Sequence, residues 1–148
     1  MIVSLHVASG AAVGAVAGSR RRALLLGVPA HLLGDRLPHR DIPNRRFEIA
    51  SGVFCLALLA LRRGPLDPAT LGGLAASAPD LEHVFPSLRP GGTKLFHDRL
   101  GWHRSGGLSA RAQLLLAGVV LGSLLGATRG RRAADPVSSG EPEPAPAP

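Results

Sequence analysis

The chain is predicted to be an all-α, membrane-embedded bundle of about five helices: two related helix pairs followed by a C-terminal helix. Three observations lead there. Of the 148 residues, 45% are apolar, yet only 3% are aromatic and Tyr is absent, so Ala, Leu and Gly carry the hydrophobicity. That composition suits closely packed helices better than a sheet rich in Val, Ile and aromatic side chains. The apolar residues fall into five separated stretches, and the first and last carry a glycine at every fourth position. In water each interior glycine costs a helix about 1 kcal/mol relative to Ala. In lipid, small residues at this spacing form a groove through which helices approach closely.

The first stretch, Ile2–Gly18, holds Gly10, Gly14 and Gly18 and ends in Arg20–Arg22. Its positive charges follow the apolar run rather than precede it, which is the reverse of a cleavable signal peptide. The second, Ala23–Gly34, runs into "HLLGDRLPHRD". The third, Ile49–Leu61, contains the lone cysteine, Cys55, so no disulfide framework is expected. It closes on Arg62 and Arg63. The fourth, Pro68–Ala78, is short, and the fifth, Ala112–Thr128, holds Gly118, Gly122 and Gly126. Only the first and last approach the roughly 20 residues of a spanning helix. Residues 129–148 form a Pro-rich, apolar-poor tail that buries too little surface to offset its ordering entropy, so the helical membrane domain is expected over 1–128.

The chain also repeats itself. "VASGAAVGAVAGSRR" (Val7–Arg21) aligns with "IASGVFCLALLALRR" (Ile49–Arg63), matching Ala-Ser-Gly at the start and Arg-Arg at the end. A titratable group precedes each copy, His6 in one and Glu48 in the other. Downstream, "HLLGDRLPHRD" falls opposite "SAPDLEHVFP".

The net charge of +7 is nearly all arginine, with Lys94 the single lysine. The aromatic-plus-basic strips of a nucleic-acid surface are missing, so no nucleic acid is expected as a partner. The arginines read as membrane-flanking charges, and the expected partners are membrane lipid, a small-molecule or lipid-like substrate, and a second copy of the chain through the Gly-rich helices.

If the helices alternate in direction, the arginine ends share one face of the bundle. The other face collects His6, "HLLGDRLPHRD", Glu48, "PDLEH" and the loop "KLFHDRLGWHRS", and with them all six histidines. His31, Asp35 and His39 are spaced four and four, one face of a continuous helix, although Pro38 is expected to end the helix before His39. Asp80 and His83 are three apart and share a face in the same way. Imidazole and carboxylate together suit zinc, with manganese or iron as alternatives, so His6, His31, Asp35, His39, Asp80 and His83 are the expected metal ligands. Ligation calls for at least four such groups meeting at one point. His97, Asp98 and His103, in a Gly/Pro-bordered loop, are the expected catalytic proton carriers. Trp102 reads as an interfacial anchor, Glu82 as solvated, and Glu48 equally as a helix-dipole acid or a site residue.

An early His before a small-residue helix, "PDLEH" resembling a Pro-Asp-x-Asp-His box, and "HRSGG" resembling a later His-Arg-Gly segment are together similar to the membrane-bound metal-dependent hydrolases of bacterial inner membranes. The similarity spans about Leu5 to Ser109. It implies a multi-pass location in the cell membrane and metal ligation by His6, Asp80 and His83, with His103 as ligand or proton carrier. Glu82 stands where the family has a second Asp, and a later His of its pattern is missing here. The implied function is metal-dependent hydrolysis of a phosphoester or lipid-like substrate at the membrane surface. The rival expectations are a non-enzymatic integral membrane protein with a structural histidine cluster and, third, a metal or proton transporter.

Overall fold

The computed structural model describes residues 1–96 and 106–134. Its architecture is all-helical, with five long helices: α1 (Val3–Ala17), α2 (Arg20–Arg36), α3 (Arg45–Arg63), α4 (Pro68–Ser77) and α6 (Ala110–Ala134). A single turn, α5 (Leu81–Val84), follows α4 after a 3₁₀ turn at Ala78–Asp80. The extended pairing among the described residues is one isolated bridge between His39 and Leu108.

Local chemistry sets the helix ends. Gly18 closes α1 with φ of 68°, a left-handed conformation that glycine adopts without strain, and its N–H reaches Gly14 O. The third glycine of the first triplet is therefore a cap and not part of a helix groove. Ser19 caps α2 by accepting from Arg22 N at 3.3 Å, and Asn44 caps α3 by accepting from Phe47 N at 3.1 Å. Asp67 caps α4 by accepting from Ala69 N at 2.8 Å, with Pro68 at the first helical position. The last helix runs six residues past its expected end at Thr128, because the Arg and Ala residues there are good helix formers.

α4 is the hub. Its Ala69, Gly72, Gly73, Ala75 and Ala76 are buried, and they let α1 and α2 approach its backbone. A Cβ placed on Gly10 would lie 2.4 Å from Gly72 O, and one on Gly14 would lie 2.1 Å from Pro68 O. On α2, a Cβ at Gly27 would meet Ala75 Cβ at 2.4 Å. The glycines of α1 thus act as the groove the spacing predicts, and the partner is α4 of the same chain. Those of α6 do not: around Gly118, Gly122 and Gly126 nothing among the described residues lies within 4 Å of an added Cβ.

α1, α3 and α6 run in the same direction. At one end Ile2 N donates to Gln113 Oε1 at 3.0 Å; at the other Arg63 Nη1 donates to Leu124 O at 2.9 Å. Arg20 Nε donates to Leu66 O at 3.0 Å, so arginines do gather at one end, as alternating helices predict. Between the ends lies a core of Ile2, Leu5, Val7, Ala8, Ala11, Cys55, Leu59, Ala69, Ala117 and Leu121.

The outside of the bundle is greasy. Val16 is 90% exposed, Leu61 83%, Leu25 74% and Leu115 72%. Among the described residues one helix is long and apolar enough to cross a membrane: residues 110–127, with mean hydropathy 1.6 and only 17% buried. α1 is apolar but has 15 residues.

Candidate metal centre

Packing of α1 and α2 on α4 brings four ionisable side chains to one end of the bundle. α1 contributes His6, one turn before Gly10. α2 contributes His31 and Asp35, one turn apart and therefore on one face. The 3₁₀ turn leaving α4 contributes Asp80. His6 and His31 are fully buried, and their rings stack with centroids 3.8 Å apart at 24°. Donor atoms of His6, His31 and Asp80 all lie within 4.8 Å of one another. His31 Nδ1 is 4.0 Å from Asp80 Oδ2.

Asp35 stands against both rings. Its Oδ1 is 3.0 Å from His6 Nε2 and its Oδ2 is 3.3 Å from His31 Nε2. A carboxylate only accepts, so His6 donates through Nε2–H and keeps its lone pair on Nδ1. That atom is buried and has no hydrogen-bond partner among the described residues. On His31 it is Nδ1 that donates, to Ala76 O at 2.8 Å, which leaves the lone pair on Nε2. A buried imidazole lone pair with no donor facing it is costly unless something positive meets it. Two imidazoles and a carboxylate, with a second carboxylate behind the rings, fit a divalent ion of the zinc, manganese or iron kind. Asp35 would then play behind His6 the orienting part that carboxylates commonly play behind metal-bound histidines, and Ala76 O would play it for His31.

The remaining expected ligands do not join this group. His39 lies beyond α2, which ends at Arg36 as Pro38 predicts. It is 2% exposed, donates through Nδ1 to Leu37 O at 2.7 Å, and sits 3.3 Å from Asp41 Oδ1 through Nε2. The Met1 amino group contacts both His39 Nε2 and Asp35 Oδ1, and so connects His39 to the cluster indirectly. His83 is half-buried in α5. It lines the same cavity wall as Asp80, as their spacing of three predicts, but it is not among the groups that converge with His6 and His31. The group thus has three converging ligands, short of the four expected, with Asp35 adjacent. His97, Asp98, His103 and Trp102 lie outside the described residues.

Three polar residues have parts the sequence did not reveal. Glu82, expected to be solvated, is 3% exposed. Its carboxylate accepts from Leu95 N at 2.7 Å and from Phe96 N at 3.2 Å, while its carbonyl accepts from Arg89 Nε at 2.8 Å. Gln113 is fully buried and donates to Arg40 O at 2.8 Å and Leu108 O at 3.2 Å, besides accepting from Ile2 N. It is the sole polar side chain between Arg111 and Ser123, a signal that sequence reading had within reach. Glu48, in the first turn of α3, lines a cavity of about 640 Å³ together with Asp41 and Asp80. Asp80 belongs to both the cavity wall and the histidine cluster, and so joins the two.

No known family, curated protein or solved structure matches this chain.

Proposed function

We propose that the chain is a membrane-embedded, metal-dependent hydrolase acting on a phosphoester or lipid-like substrate at the membrane surface. The observation that carries this reading is the buried, donor-free lone pair of His6 Nδ1 beside His31 and Asp80. In the proposal His6, His31 and Asp80 hold a divalent ion, zinc in the first place, while Asp35 fixes the orientation of the His6 ring and Ala76 O that of His31. A divalent ion in such a site supplies activation of water and polarisation of the scissile bond. The cavity next to Asp80 receives the substrate. Glu48, on the cavity wall, is placed to accept a proton, and His97, Asp98 and His103 keep the proton-carrying part that the sequence assigns to them.

Membrane embedding rests on α6 and its neighbours. α1 and α3 lie alongside α6 in the same direction, tied at Ile2–Gln113 and Arg63–Leu124. A bilayer crossed by α6 therefore takes those helices with it, and the exposed Val16, Leu25 and Leu61 meet lipid. This supports a multi-pass arrangement with the histidine cluster near one membrane surface. The bacterial inner membrane follows from the family resemblance alone.

One observation favours a non-enzymatic reading. Asp35 with His6, His31 and the Met1 amino group already forms a connected polar network, which can serve packing alone. Metal analysis of the purified full chain decides between the two. The expected result is a stoichiometric divalent ion in the wild type and in His39→Ala, and its loss in His31→Ala and Asp80→Ala. Equal metal content in all four would remove the hydrolase reading and leave the structural one.

A further inference from the structure

The cavity shared with Asp80 has a composition that identifies what fills it. Its lining changes character along α3: Arg45 and Glu48 come first, then Ile49, Val53 and Leu56. From Arg45 to Leu56 the helix rises about 16 Å, so the cavity is elongated, polar at the end near the histidine cluster and apolar further along. Val53 and Leu74 line it while remaining 62% and 47% exposed, so its apolar part opens sideways onto the greasy flank of the bundle. A volume of about 640 Å³ lies within the usual range of small-molecule sites.

The polar end is balanced in charge and set up for an anion. Arg45, Arg89 and Lys94 face Asp41, Glu48 and Asp80, three cations against three acids. Addition of a divalent ion at the neighbouring cluster turns that balance positive. Arg45 gives one N–H to His83 O and Arg89 gives one to Glu82 O, so backbone carbonyls fix both guanidinium groups at the rim. Each guanidinium carries five N–H donors, which leaves a planar fork suited to a phosphoryl group.

We propose that this cavity binds an amphiphile with a phosphoryl headgroup and a single long hydrocarbon chain. The headgroup lies between Arg45, Arg89 and Lys94 against Asp80, and the chain runs along Ile49, Val53 and Leu56 and enters from lipid past Val53 and Leu74. The identity of the substrate and the positive balance of the headgroup end rest on the hydrolase reading above and its metal ion; the shape of the cavity and the guanidinium groups held at its rim do not.

Native mass spectrometry of the full chain, released from non-ionic micelles, tests this with hexadecyl phosphate, butyl phosphate, hexadecanol and inorganic phosphate. The expected result is retention of hexadecyl phosphate, with butyl phosphate, hexadecanol and inorganic phosphate each retained about tenfold less. Val53→Trp, which fills the apolar part from an exposed position, and Arg45→Gln with Arg89→Gln, which weaken the rim, should each lower retention of hexadecyl phosphate to a similar degree without changing metal content. Equal retention of hexadecyl and butyl phosphates by the wild type, or of hexadecyl phosphate and hexadecanol, overturns the proposal whatever the variants do. A wild-type chain that retains hexadecyl phosphate selectively but holds no metal upholds the cavity and sinks the hydrolase reading. One that holds metal without chain-length preference does the opposite.

Discussion

Asp35 accepts the Nε2–H of His6, and this decides which nitrogen of that ring keeps its lone pair. Replacing its carboxylate by an amide puts an N–H donor against one ring and disturbs the tautomer that presents the His6 Nδ1 lone pair. Asp35→Asn should therefore weaken metal affinity about 10- to 100-fold, the usual cost of losing an orienting partner, as read by chelator competition. Unchanged affinity would remove Asp35 from the site. Glu82 offers a different test, since its carboxylate holds the amides of Leu95 and Phe96. Glu82→Ala strands both donors at about 1–3 kcal/mol each where they are buried, and should make the chain near residue 95 more sensitive to limited proteolysis while leaving metal content intact. Residue types and spacing gave His6, His31 and Asp80, because ionisable groups in an apolar chain stand out. Glu82, which does not share the cavity wall with Asp80 and His83, was misread as solvated because its spacing does not show that the Leu95 and Phe96 amides close over it.

Among the elements, α4 has the shortest apolar run of the five and yet takes the central place. Its own composition explains this: with Gly and Ala at its contact positions, two helices can lie against its backbone. A Cβ on Gly72 would sit 2.3 Å from Gly10 O, so Gly72→Val should overpack the α1–α4 contact. The expected loss is about 1–3 kcal/mol, visible as a lower unfolding midpoint in detergent, with metal binding lost in parallel because His6 and Asp80 are drawn apart. Helix number and order were legible in the sequence, as apolar stretches interrupted by Arg, Pro and Gly signal them directly. Which glycine triplet would be used was not legible. Spacing marks a groove but says nothing of whether a second helix fills it.

At the scale of the whole molecule, the expectation is a chain that behaves as an integral membrane protein. It should stay in the membrane pellet through an alkaline carbonate wash and leave it only in detergent; release by carbonate would contradict embedding. Metal occupancy should fall as the pH is lowered, since imidazole ligands must be neutral and the carboxylate ionised to bind, and it should return on neutralisation. An occupancy that stays flat with pH would argue against histidine ligation. The all-helical architecture followed from composition and the separated apolar stretches, and the gathering of arginines at one end from helix alternation. The joining of cluster and cavity through Asp80 did not, because it depends on how α3 stands off from α1 and α4. The two glycine triplets also carry a difference in mutational history that can be read without any assay. On α1, neutral drift at Gly10 and Gly14 is closed, since no larger residue fits. On α6, Gly118, Gly122 and Gly126 meet nothing among the described residues, and alanine there would clash with none of them. Left to the fold alone, related chains should have shed the second triplet while keeping the first.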